Sequence, residues 1–332
     1  MNIINVGSIT APPPIEELIN YFLSGKDVNQ SSKDLYKRTL KQFFNWVNKK
    51  NYLLSDLTRA ELIQYKTDLL LSGKSGLSVG SYITSVRLFY EWLEANKYYP
   101  NIAKGVKAPI RKQQFRKQPL TLTQQKELLN YYISKNVDIS VLDVLTKKTN
   151  IEHIKNQAQL RDYALINLLL RTGLRTIEVI RANIEDIIFK GEQRIILIHG
   201  KGRAEKDNFV KLKDKTYLPI KEYLESRPKA LTKEPLFTSL SNNSYGKRIT
   251  TRTIRDITNE GLQAIGIKQR CFTAHSLRHT TAVNILRGGG KLEDAQDTLR
   301  HSNPATTQIY TATLKEERRL QRSGEDIIDE ML

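Results

Sequence analysis

Cys271-Phe-Thr-Ala-His-Ser-Leu-Arg-His-Thr280 and, across a glycine-rich break, Thr298-Leu-Arg-His-Ser-Asn-Pro-Ala-Thr-Thr-Gln-Ile-Tyr310 decide how this chain is read. The two stretches hold three of the five histidines, a central arginine and a tyrosine in a polar Thr/Gln setting. His275, Arg278 and His279 stand at i, i+3 and i+4, so on a helix they share one face. Thr273 suits an N-cap, which predicts that this face lies in the first turn. Free N–H groups and the helix dipole favour an anion there. Arginine adds a planar fork that matches two phosphate oxygens. The sequence therefore predicts a phosphate site, with a tyrosine hydroxyl supplied from a second short helix.

Composition points to a polyanionic partner. The 332 residues suffice for two domains. The formal net charge of +18 says little about fold but favours nucleic acid or an anionic surface. No apolar run approaches the roughly 18 residues of a membrane span. The first ten residues lack the basic start and apolar block of a secretory signal. A single cysteine, Cys271, excludes an internal disulfide and a cysteine-based zinc site, and its ordinary reading is a small buried apolar side chain. A cytosolic protein that meets DNA or RNA is expected.

Upstream, residues 1–14 end in three prolines and predict an extended lead. A helical domain is expected over 15–103. Its helices run from Ile15 to Ser24, over 32–50, behind the Thr58-x-x-Glu61 capping box as far as Ser72-Gly73, and onward from Ser78. Residues 104–120 carry Lys104, Lys107, Arg111, Lys112, Arg116 and Lys117 without one acid. They read as a basic linker able to follow a phosphate backbone, or as a plain tether. The second domain, 121–332, begins with a helix to about Ser134, a helical insertion over 135–158 and an almost wholly apolar helix, Arg161 to Leu170. Strands follow at 186–189, 194–199 and 209–212, then helices at 215–226, 250–261, 274–286, 292–299 and 304–310. An amphipathic tail fills 314–332. The fold class is mainly α with a small antiparallel sheet (α+β), in two domains.

Arg175 follows the Thr172-Gly173 break, with Glu178 at i+3 able to fix it; a purely structural ion pair is the plainer reading. Lys201, between two glycines at a hairpin tip, can reach into a cleft and protonate a leaving oxygen, or be an ordinary turn lysine. Tyr310 is one of fifteen tyrosines, so its position carries its case. His153 and His199 are assigned to structure. His275-x-x-x-His279 has half the look of a zinc helix, but Ser276 stands where a metalloprotease needs glutamate. No acidic pair flanks these residues for a two-metal nuclease, and no P-loop supports ATP use. No metal or cofactor is expected.

Thr172-Gly-Leu-Arg175-x-x-Glu178, Gly-Lys201-Gly, His275-x-x-Arg278-His279, Leu299-x-His301-Ser and Thr306-Thr-Gln-Ile-Tyr310 follow in that order. Together they resemble the tyrosine recombinase family, of phage-integrase or Xer-like type, over about 120–315. The helical N-terminal half resembles the family's SAM-like core-binding domain. The resemblance implies a C-shaped clamp around duplex DNA, with Tyr310 attacking a scissile phosphate to give a 3′-phosphotyrosyl link. Arg175 and Arg278 would hold the non-bridging oxygens, Lys201 protonate the leaving 5′ oxygen, His275 assist deprotonation of Tyr310, and His301 bond the phosphate. Glu178 and His279 would support them. Lys104, Lys107, Arg111, Lys112, Arg116, Lys117, Arg203 and Lys206 would meet the DNA backbone. A tyrosine of pKa ~10 does need cations nearby to ionise at neutral pH.

The implied partners are double-stranded DNA with paired recombination sites and a homotetramer that exchanges its C-terminal helix and resolves a Holliday junction. An accessory DNA-bending factor is a further implied partner, and a membrane is not. The implied setting is the cytoplasm, at the nucleoid, of a bacterium or mobile element. A type IB topoisomerase-like relaxing enzyme and a non-catalytic DNA-binding protein of the same fold are the rival readings. About fourteen residues precede the bundle, too few for an arm-binding domain, so a simple recombinase is expected. Two departures stand out. Arg300 occupies the usual glycine of Leu-Gly-His, where it would alter how His301 is presented or add a phosphate contact. Lys206, in a lengthened hairpin, would compete with Lys201 as the acid.

Overall fold

Helix α1 (Ile15–Ser24) starts directly after Pro14, its N-cap. The computed structural model describes residues 13–109, 118–143, 150–199, 206–227, 230–301 and 304–332. The chain divides into two compact units, Met1–Gln114 and Phe115–Leu332.

The first unit packs α1 with α2 (Gln30–Lys49), α3 (Arg59–Leu71) and α4 (Gly76–Ala95). Each start has a local cause. Asn29 accepts the Ser32 N–H and opens α2 two residues before the expected Ser32. In the Thr58 capping box, Glu61 accepts the Thr58 N–H at 2.7 Å. Ser75, not Ser78, caps α4, because its hydroxyl accepts the Ser78 N–H at 3.2 Å. The apolar stripes Leu40, Phe43, Phe44, Val47 and Val79, Ile83, Val86, Phe89 close on Leu18 and Phe22. Phe22 meets Phe89 edge-on at 5.3 Å. Burying each such side chain contributes about 1.5–3 kcal/mol. Ala103 and Val106 also lie in this core, although the surrounding lysines read as linker. Lys66 Nζ donates to the Lys107 carbonyl beside them. The apolar residues alternate with the cations, which a reading by charge alone overlooks.

The second unit is built on α6 (Asn150–Thr172), whose Leu165, Ile166, Leu168 and Leu169 are fully or almost fully buried. Around it pack α5 (Leu122–Asp143), α8 (Asp214–Glu225) and α10 (Ala274–Arg287), with α7 (Thr176–Arg181), α9 (Thr251–Ala264) and α11 (Leu292–Leu299) beyond. The expected insertion over 135–158 is the end of α5 and the start of α6, with 144–149 outside the described residues. No glycine or proline interrupts the chain between Leu122 and Thr172, so nothing in it stops a helix at Ser134. Strands β1 (Ile187–Lys190), β2 (Gln193–Ile198) and β3 (Asn208–Lys211) form one antiparallel sheet in that order. Ile187, Ile196 and Val210 stand in register on its core side. The expected short helix ending at Tyr310 is instead α12 (Pro304–Gln321), which carries the tyrosine into the tail, and α13 (Gly324–Met331) restarts at a Ser323 capping box. Among the described residues no helix is long and apolar enough to cross a membrane.

Helix α9 approaches α5 through Gly261. A Cβ there would stand 2.6 Å from Leu128 Cδ1 and 2.8 Å from Tyr132 Cε2. Gly261→Val should therefore lower the midpoint of urea unfolding, by about 1–3 kcal/mol in stability. An unchanged midpoint would mean that α5 and α9 do not pack this closely.

Candidate active site

Helix α6 stops at Gly173, which holds φ +61°. A side chain there would drive into Leu299 and Thr281, so both the backbone angle and the space require glycine. The Gly173 carbonyl accepts from Arg278 Nη1, and the Leu299 carbonyl at the end of α11 accepts from Arg278 Nη2. Arg278 is only 2% exposed. The expected cation in an open helix turn is thus a buried fork fixed by two carbonyls from two elements. Thr281 Oγ1 donates to the Leu170 carbonyl at 2.8 Å and ties α10 to the end of α6. Thr273 is the N-cap of α10 as expected, and Ser276 Oγ accepts its N–H.

Arg175 is the N-cap of α7. Its N–H donates to Glu178 Oε2 at 2.8 Å, its Nη1 to Glu178 Oε1 at 2.7 Å, and its Nη2 to the Arg300 carbonyl at 3.4 Å. Arg300 enters the same cluster from α11. It holds φ +55°, the left-handed conformation that glycine adopts freely. Its Nη2 donates to Glu178 Oε2 at 2.9 Å and its Nη1 to the Thr298 carbonyl at 2.7 Å. Two guanidiniums thus share one carboxylate, and Arg278 stands within their electrostatic reach on its two carbonyls, leaving an excess of positive charge.

The electrostatics follow from that crowding. Burial raises the Glu178 carboxyl, but Arg300 and then Arg175 outweigh it and hold the group below its ordinary value. Burial, then the like charge of Arg175, pushes Arg278 down to about 9, so it stays protonated near neutrality. Burial, then Arg278 and Arg175, lowers His301 to about 4, leaving a neutral imidazole. Burial raises the Tyr310 phenol, and Arg278 and Arg175 pull it back.

Tyr310 is 2% exposed and packs with Ala282, Val283 and Leu299. The His279 ring meets it edge-on at 5.1 Å, and the His301 ring stacks at 6.2 Å. His275 stands 5.0 Å from His279, one ring further from the tyrosine along this row. His301 is held by its N–H to the Gln296 carbonyl, and its own carbonyl accepts from Gln296 Nε2.

The structure thus brings together Arg175, Glu178, His275, Arg278, His279, His301 and Tyr310. Lys201, Arg203, Arg111, Lys112, Arg116 and Lys117 lie outside the described residues. Lys206 Nζ pairs with the buried Asp186, so its charge is spent on a carboxylate that also accepts the Asn183 N–H. Lys104 and Lys107 are exposed on the first unit. The sequence reading missed Gly173 as the source of a carbonyl, and Arg300 as the second partner of Glu178; a large residue in a usual glycine position was the signal for the latter. Among the described residues no group of three or more His, Cys, Asp or Glu could hold a metal ion.

Two family models match the chain: the phage integrase family over residues 141–317, and the phage integrase N-terminal SAM-like domain over residues 15–97. Relatives include a tyrosine recombinase XerD of Staphylococcus epidermidis, 25% identical over 306 residues, covering 91% of this chain and 94% of that protein. A tyrosine recombinase XerC of Caldanaerobacter subterraneus is 27% identical over 326 residues, covering 90% and 83%. The fold is that of the XerH site-specific recombinase bound to a palindromic difH substrate in a post-cleavage complex (TM-score 0.70, 19% identity, 94% of this chain and 85% of that one). It is also that of the Tn1549 transposon integrase in complex with circular intermediate DNA (TM-score 0.64, 17% identity, 89% and 94%).

The His301 shift has a thermodynamic sign. The folded value, about 4, lies below the ordinary ~6.5 of an unfolded histidine. Between the two the unfolded chain binds more protons, so stability falls as pH drops through that window and levels off below it. Urea unfolding at a series of pH values should show this slope, and His301→Asn should flatten it. A slope unaffected by the substitution would mean that the imidazole is not held neutral by this site.

Proposed function

The chain belongs to the phage integrase family and is a site-specific DNA recombinase, and we propose that its chemistry runs through Tyr310. The tyrosine oxygen attacks the scissile phosphorus, the P–O5′ bond breaks, and a 3′-phosphotyrosyl ester remains beside a free 5′-hydroxyl. The ester keeps the bond energy of the broken strand, so an incoming 5′-hydroxyl reverses the step without nucleotide hydrolysis. The observation that carries this reading is the burial of Tyr310 against His279 and His301, within the field of Arg278 and Arg175.

Arg175 and Arg278 take the non-bridging oxygens and stabilise charge as the five-coordinate phosphorus forms, as an oxyanion hole does for a carbonyl. Glu178 supports Arg175. His275 takes up the phenol proton, with His279 as the ring between them. His301, neutral at working pH, donates a hydrogen bond to the phosphate. Lys201 protonates the leaving 5′ oxygen; the ion pair of Lys206 with Asp186 favours Lys201 over Lys206 for that step. The first unit is the core-binding domain, and the basic residues from Lys104 to Lys117 and Arg203 engage the DNA backbone. Four copies pair two recombination sites and exchange strands in two steps through a Holliday junction, with the C-terminal helix passed between neighbours. The setting is the bacterial cytoplasm or a mobile element resident in it.

A nicked suicide duplex should trap the covalent adduct. Tyr310→Phe should abolish it while still binding DNA, and Arg175→Ala or Arg278→Ala should slow its formation by about 10²–10³-fold. Adduct that persists in Tyr310→Phe removes the nucleophile from this account. Efficient relaxation of a supercoiled plasmid without target sites would favour the topoisomerase-like activity instead.

A further inference from the structure

Arg300 does something that a glycine in its place could not. Its backbone takes the left-handed conformation, which a residue with a side chain adopts at a cost. In return its side chain, 10% exposed, crosses from the end of α11 to the carboxylate at the start of α7. The contacts close a ring. The Arg175 side chain donates to Glu178 Oε1, Arg300 donates to Glu178 Oε2, and the Arg300 carbonyl accepts from Arg175 Nη2. The residue before Arg300 supplies the carbonyl that holds Arg278, and the residue after it is His301, stacked on Tyr310.

We propose that Arg300 is a positioning residue for DNA cleavage: by bridging to Glu178 it locks the end of α11 onto α7, and so sets Arg175, Arg278 and His301 relative to Tyr310. This rests on the reading that those residues act on the scissile phosphate. A glycine at 300 would lose this bridge and leave the turn the longer Arg175–carbonyl bond to α7, at 3.4 Å. Arg175 would then be the sole guanidinium on Glu178, and the two would draw together as a closed pair. With the carboxylate shared, Arg175 keeps more of its charge for a phosphate.

The test compares wild type, Arg300→Gly, Arg300→Met and Arg300→Lys in single-turnover adduct formation on a nicked suicide duplex, with duplex affinity and circular dichroism measured alongside. Arg300→Gly keeps the turn and loses the bridge. It should bind duplex normally yet form adduct about 10–100-fold more slowly, the scale set by small misplacements of reacting groups. Its acid limb should also shift to higher pH, because Glu178 loses the neighbouring cation that most lowers it, while Arg175, Arg278, His275 and His301 remain around the site. Arg300→Lys, with one charged donor able to reach the carboxylate, should recover part of the rate. Wild-type rate and an unshifted acid limb in Arg300→Gly overturn the inference. Should Arg300→Gly fail to fold, Arg300→Met, which fills the space without charge, decides in the same way. If neither folds, Arg300 is structural and the inference fails. Absence of adduct with wild-type protein would sink the proposed chemistry, whereas equal rates in wild type and the variants sink only the role of Arg300.

Discussion

Two consecutive carbonyls, those of Leu299 and Arg300, accept hydrogen bonds from Arg278 and Arg175 respectively. This short piece of backbone constrains everything around it. A buried guanidinium without partners is strongly unfavourable, so each arginine must find acceptors or be expelled. Leu299 anchors the turn in the apolar cluster around Tyr310, and Gly173 supplies the opposing carbonyl. Positive charge is thereby kept in a dry place by neutral acceptors, which hold it without cancelling it. Among the described residues Glu178 is the carboxylate that subtracts from it directly, and it is divided between two partners.

The same dryness shapes Tyr310. A phenol out of water resists ionisation, and the two arginines partly offset that resistance. Burial, then the same two charges, keeps the neighbouring imidazole of His301 from becoming a cation. Burial thus acts on both groups against their charged forms; the two arginines oppose it at the phenol and add to it at the imidazole.

Much of this was legible in the sequence, for physical reasons that can be named. The i, i+3, i+4 spacing on α10 gave His275, Arg278 and His279 one face, and the capping box at Thr58 marked the start of α3 to the residue. Strands betrayed themselves by β-branched runs on either side of the Lys190–Gln193 turn, within a residue of their observed ends. Where the reading failed, the missing term was three-dimensional. Residues 135–158 read as a separate helical insertion, whereas the described parts of that stretch continue α5 as far as Asp143 and open α6 at Asn150, because no glycine or proline ends a helix at Ser134. Tyr310 looked terminal because its motif ended there, although the chain beyond has nothing to halt α12 before Ser323. Arg300 was recognised as odd, yet its partner lies more than a hundred residues away in sequence, and no local pattern could have named Glu178.

Gly173 has a dual role: it closes α6, whose apolar side chains fill the core of the second unit, and lends its carbonyl to Arg278. Interior and candidate site therefore share one peptide group. Such sharing ties the opening of the site to the packing of the core through one hydrogen bond. Fraying that a surface loop would absorb harmlessly cannot begin at this peptide without loosening both. Variation at the core-facing positions near the end of α6 is accordingly filtered twice, once by folding and once by the geometry around the arginine.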